Sequence, residues 1–153
     1  MPAIKFAEFV NQAPKIQPKG EIYQLGSLKP HWIIAVNTHG IELDTPNIAV
    51  RDQDIAHSFR DNKDNQLPRD WYKNLPQHLK NPDAVILDKT HPDGPSLLLI
   101  YKGKDKAYKL VVRLNYNVRK QGVMNIVGSG QKVIIGGIKA MLGKGYILIE
   151  GSL

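Results

Sequence analysis

From Tyr108 to Asn115 the chain alternates strictly, with Tyr108, Leu110, Val112 and Leu114 on one parity and Lys109, Val111, Arg113 and Asn115 on the other. Successive side chains of a strand point to opposite faces, so this run predicts a sheet with one face packed and the other carrying positive charge. Runs rich in Val, Ile, Leu and Tyr predict strands over 84–88, 96–101, 107–116 and 123–127. Turn chemistry at 91–95, 103–105 and 121–122 separates them, the pattern of an antiparallel meander. A helix over 131–142 and a last strand over 146–149 finish this half.

Before Ala84 the apolar period is helical. Ile4, Phe6, Ala7, Phe9 and Val10 outline a short amphipathic helix stopped before Pro14, and a polar connector follows to Gly20. Pro30 to Thr38, with Pro in the first turn and Gly40 behind, predicts a helix that turns Trp32, Ile33 and Val36 inward. Asp52 opens another helix to about Asn62, with Ile55 and Phe59 as a core pair and His57 on the opposite side. Short strands are expected over 21–25 and 48–50, and one or two helical turns over 68–79. The whole predicts an α+β domain with N-terminal helices packed on a four- to five-stranded antiparallel sheet. Its 153 residues suffice for one domain, with 1–20 as helix and connector and 21–153 as the domain proper.

Charge sharpens this picture. Residues 1–76 hold 9 Lys+Arg and 9 Asp+Glu, whereas 77–153 hold 12 and 5, so the net charge of +7 is entirely C-terminal. Lys102, Lys104, Lys106, Lys109, Arg113, Arg119 and Lys120 face a single acid, Asp105, in that stretch. Such a patch favours an acidic partner, nucleic acid first. The three lysines at 102–106 read more simply as a solvated hairpin tip that blocks edge pairing.

Several chemistries are excluded or weakened. The chain has no cysteine, hence no disulfide, thiolate site or cysteine nucleophile. His31, His39, His57, His78 and His91 are never three or four apart, so no metal motif forms and no cofactor is expected. Gly128-Ser-Gly-Gln-Lys132 lacks the spacing of a phosphate loop or a nucleophile elbow. No secretory signal is read at the N-terminus, and glycines and lysines interrupt the longest apolar stretch, so a soluble protein with no membrane association is expected.

A basic sheet face with histidines is compatible with metal-free RNA cleavage. There the ribose 2′-OH attacks, a histidine moves the proton, and Arg or Lys holds the phosphate. His57 is the candidate acid or base, against the simpler reading of a surface histidine. Arg113 and Lys109 are candidate phosphate ligands, against pairing of Arg113 with Asp88 or Asp105. Arg60, one turn beyond His57, could reach phosphate; Tyr101 and Tyr116 could stack a base. Asn125 is either a buried amide satisfied by backbone or a phosphate ligand, and Ser129 lies in what reads first as a flexible turn.

The segments Tyr23-Gln-Leu-Gly26, Trp32 to Gly40 and Ile48 to Arg60, followed by Leu75 to Pro82 and the meander, resemble phage-type nuclease domains of the barnase, EndoU, colicin and RelE-like group. The resemblance spans roughly 20–130. It implies a ribonuclease toxin or effector of a phage, prophage or conjugative element, acting in the cytoplasm of a bacterial host. An acidic immunity or antitoxin protein as partner would fit. His57 matches the group's helix histidine, Arg113 and Lys109 its central-strand cations, and Ser129 a polar residue near a strand end. Where a second histidine is common, this chain has Asp61 and Asp64, so His78 or His91 would have to substitute. The expectation is therefore a metal-independent endoribonuclease leaving a cyclic phosphate. The alternatives are an RNA- or DNA-binding module of a mobile element and a structural protein.

Overall fold

The alternating run 107–118 becomes the centre of the sheet in a computed structural model that describes residues 5–13, 20–60 and 66–153; the side chains of 59 and 60 lie outside that description. In chain order the elements are α1 (Phe6–Gln12), β1 (Ile22–Ser27), α2 (Pro30–Thr38), β2 (Asn47–Arg51), α3 (Asp52–Arg60), α4 (Arg69–Tyr72) and α5 (Leu75–His78). Then come β3 (Ala84–Asp88), β4 (Ser96–Tyr101), β5 (Ala107–Val118), β6 (Gly122–Val133), α6 (Ile135–Met141) and β7 (Tyr146–Gly151). All seven strands form one sheet in the order β1-β2-β6-β5-β4-β3-β7.

The α+β class stands, but the four- to five-stranded antiparallel sheet was too small and too uniform. The antiparallel pair β1–β2, whose strands are linked through α2, joins the meander through a parallel pairing of β2 with β6, confined to Ile48 opposite Asn125 and Ala49 opposite Ile126. At the other end β7 pairs antiparallel with β3. Both additions are contacts between segments far apart in sequence, which local periodicity does not encode.

The two sheet faces are covered unequally. Leu110, Val112 and Leu114 share a core with Phe9, Trp32, Val36, Ile55, Tyr72 and Leu75, so α1 to α5 all pack on that face. The opposite face carries a smaller cluster of Ala84, Ile86, Leu98, Ile100 and Ala107 beneath Ile138 of α6. Strands β3 and β4 are thus covered on both sides, which is why Ala84 to Leu87 and Leu97 to Ile100 are unbroken apolar runs.

β6 runs six residues past the expected end at Val127, through Gly128-Ser-Gly130, so the predicted helix shrinks to α6. These glycines serve close packing rather than flexibility. A Cβ at Gly130 would lie 2.6 Å from Leu67 Cδ1 and 2.7 Å from the Tyr72 hydroxyl, so only Gly lets the α4 layer settle on β6. Gly128 sits at a register shift and leaves room for Arg113, whose Nε would be 3.1 Å from such a Cβ.

Helix α2 is fastened to the edge strand β7 by one carboxylate. Glu150 accepts hydrogen bonds from the fully buried Trp32 indole and meets His31 Nε2 at 3.1 Å. Burial raises its pKa, but the bonds from Trp32 and His31 and the charges of His31 and Lys29 outweigh that and hold it below 4.5. A depressed carboxyl pKa contributes stability that is present above the unfolded value and is lost as pH falls through the folded one. Glu150→Gln is therefore expected to flatten the loss of stability below about pH 4.5 in urea melts across pH. An unchanged acid limb would show that this tie does not matter.

Candidate nucleic-acid interface

On the helix-covered face, Tyr101, Tyr108 and Lys132 lie side by side across β4, β5 and β6, since Tyr101 pairs with Tyr108 and Tyr108 with Lys132. Trp71 of α4 stands over this row, edge-on to both tyrosine rings at centroid distances of 5.1 Å and 5.6 Å. His78 of α5 stacks parallel on Trp71 at 4.2 Å. The Tyr101 hydroxyl donates to the His78 carbonyl oxygen at 2.7 Å, which fixes α5 against β4. Burial, and then the charge of Asp83, push that hydroxyl's pKa well above the usual tyrosine value, so it remains a donor. Burial likewise lowers the pKa of His78, against a bond to the Trp71 backbone, and favours the neutral imidazole.

The β4–β5 loop walls the groove with Lys102, Lys104, Asp105 and Lys106, and the open space between is about 570 Å³. The loop is set rather than loose: Lys102 N–H donates to Asp83 Oδ2 at 2.7 Å, and a Cβ at Gly103 would lie 2.4 Å from the Lys106 carbonyl oxygen. Among the described residues, none of Lys104, Lys106 and Lys132 has a carboxylate within ion-pair distance. Three aromatic residues and four lysines, with the single carboxylate of Asp105 among them, thus line one groove. Aromatic faces take bases and ammonium groups take phosphates, the two contacts that single-stranded nucleic acid offers irrespective of sequence.

The sequence-predicted residues are dispersed around this geometry. Tyr101 is in the groove. Lys109 and Arg113 point from the other sheet face, because they alternate with Leu110 and Val112. His57 is exposed on α3, on the helix-covered side and turned away from buried Ile55. The sheet and the α3 helix therefore separate His57 from Arg113 and Lys109, so these three do not meet at one phosphate. Ser129 is exposed on the charged face opposite Val111 and outside the groove. Asn125 is 0% exposed and fully engaged: its Oδ1 accepts from Asn115 N–H, and its Nδ2 donates to the Thr45 and Asn47 carbonyl oxygens. It is a structural amide rather than an RNA ligand. The Arg60 side chain, the Phe59 core contact, Asp61 and Asp64 lie outside the described residues.

Arg113 has neither Asp88 nor Asp105 within ion-pair distance; its guanidinium lies 5.8 Å from the centre of the Tyr116 ring. It lines a second concavity of about 330 Å³ with His91, Ser96 and Tyr116, at the opposite end of the strands from the groove. Trp71, Tyr108 and Lys132 escaped the sequence reading. Trp71 belongs to a single-turn helix with no readable period, and Lys132 was assigned to a helix. The signal that could have found Tyr108 was its parity with Tyr101 in a hairpin of known turn.

Among the described residues no three His, Asp or Glu side chains gather to hold a metal, and no helix is long and apolar enough to cross a membrane. The chain matches no family model, and neither a curated protein nor a solved structure is found to be similar to it.

Proposed function

We propose that the protein binds single-stranded nucleic acid, RNA first, in the groove of Trp71, Tyr101, Tyr108 and the surrounding lysines. The observation that carries this reading is the convergence of aromatic rings with a lysine excess of four over one carboxylate, Asp105, with Lys104, Lys106 and Lys132 free of ion pairs among the described residues. A rigid duplex would not present its bases to a recessed aromatic floor, whereas a flexible strand can lay them there. The lysine contacts release counterions, so affinity should fall with salt. Four phosphates neutralised on a single strand correspond to a slope of about −3 in log K against log salt.

A second reading, a metal-independent endoribonuclease, draws on the concavity that His91, Asp93 and Arg113 line together. His91 Nδ1 lies 3.3 Å from the Asp93 backbone nitrogen and 3.7 Å from Asp93 Oδ2. One incubation separates the two readings. With oligouridine, oligothymidine and a duplex in EDTA, salt-sensitive binding of the single strands without turnover is expected. Cyclic-phosphate ends produced by the protein and lost in His91→Ala would instead establish the nuclease. Equal binding of duplex and single strand would overturn the groove reading.

A further inference from the structure

We propose that a bound strand does not end in the aromatic groove but turns the corner of the sheet to a phosphate subsite at Lys109 on the opposite face. The inference rests on the groove reading above and extends it to the length and path of the ligand. Lys109 lines a second hollow of about 410 Å³, with Tyr146 and Ile134, and Lys106 and Lys132 line this hollow as well as the groove. The two spaces therefore share a wall of two ammonium groups. That wall stands where β5 begins and β6 ends, since Ala107 is paired with Val133. β2 covers β6 only at Asn125 and Ile126, so among the described residues this edge of β6 carries no strand pairing from Gly128 onward except a bridge between Gln66 and Gln131. A flexible backbone can pass there.

Three features of the hollow suit a phosphate followed by a sugar or base. Lys109 is half-buried, and among the described residues no carboxylate lies within ion-pair distance of it. Asp88, the acid whose charge reaches it, already accepts from the Thr90 N–H and hydroxyl at 2.8 Å and 2.6 Å. Burial pushes the Lys109 ammonium below the usual lysine pKa, so an anion arriving there regains the solvation that folding removed. Ile134 is 68% exposed beside it, a large apolar side chain that folding does not use. Contact with a ribose or base would cover it.

The test is titration of oligouridines of two lengths, a dinucleotide that fills only the groove and an octanucleotide long enough to pass the corner. Lys109→Met keeps the apolar stem and removes the charge. For the octanucleotide it is expected to lower affinity about 5- to 10-fold at low salt and to make the salt slope shallower by about 0.7. Dinucleotide affinity should not change, and Lys109→Arg should restore octanucleotide binding. Octanucleotide affinity untouched by Lys109→Met, or an equal loss at both lengths, would overturn the extension while leaving the groove in place. Failure of the unmodified protein to bind either length would overturn the groove reading, and the extension with it.

Discussion

Replacing Asn125 with Ala is expected to destabilise the protein by about 3 kcal/mol. Three hydrogen bonds meet on this one side chain, at 3.1 Å from Asn115 N–H and 2.8 Å and 3.0 Å to the carbonyl oxygens of Thr45 and Asn47. Each contributes about 1 kcal/mol net, and truncation leaves their backbone partners short of a bond in a site that water does not reach. The Asn115 amide is the most exposed to this loss, because Asn115 holds a left-handed conformation with φ 52 at the register shift of β5. Its own side chain accepts from Asp44 N–H and donates to the Glu42 carbonyl oxygen. Asn125 therefore secures the loop before β2 as well as the bulge in β5. In urea unfolding the midpoint should drop with little change in slope, and the melting temperature should fall by roughly 10 °C. A loss under 1 kcal/mol would mean that the loop relaxes to supply other partners. Oligouridine affinity of the folded variant should be unchanged.

Trp71→Leu should behave in the opposite way. Stacking of a base on an aromatic side chain contributes about 2 kcal/mol, so removal of the indole is expected to weaken oligouridine binding roughly 30-fold. Leucine retains apolar contact beneath His78 and beside Tyr101, so most of the fold's stability should survive. The distinguishing readout is salt dependence. An indole carries no charge and releases no counterion, so log K should drop in parallel at every salt concentration, without the change of slope expected for a lysine variant. A steeper or shallower slope, or an affinity within twofold of the unmodified protein, would show that the groove does not stack bases.

How much of this was legible beforehand depends on the range of the interaction concerned. The strands β3, β4 and β5 and the helices α2 and α3 follow from periods and punctuation contained in a dozen residues each, and their boundaries fall within a few residues of those expected. Gly128-Ser-Gly130 was misread because glycine marks both a turn and a close approach. Only the positions of Leu67 and Tyr72, brought in by another part of the chain, decide between the two. The charged parity of β5 was legible, and so were its cations Lys109 and Arg113. What could not be read was that His57 and Arg113 lie on opposite sides of the sheet. That depends on which face α3 covers, and α3 is attached through the β1–β2 pair and its two-residue parallel join. Trp71 was hidden for a related reason, since a helix of one turn has no period and its direction is set by what it packs against.

That parallel join is also the seam of the molecule. Seventy-odd residues of chain must close a loop before Ile48 can meet Asn125, and closure over that length costs entropy that two residue pairs only partly offset. The meander, by contrast, closes through hairpins of a few residues. Contact order therefore predicts that β1 with β2 joins the sheet late and that β3 to β6 forms early. The Asn125 amide is the clasp between them. The aromatic groove lies in β4, β5, the end of β6 and the helices above them. Local opening along the seam would therefore expose the Ile48 to Val50 strand and reach the groove through α5, which packs on β1 and carries the His78 ring stacked on Trp71.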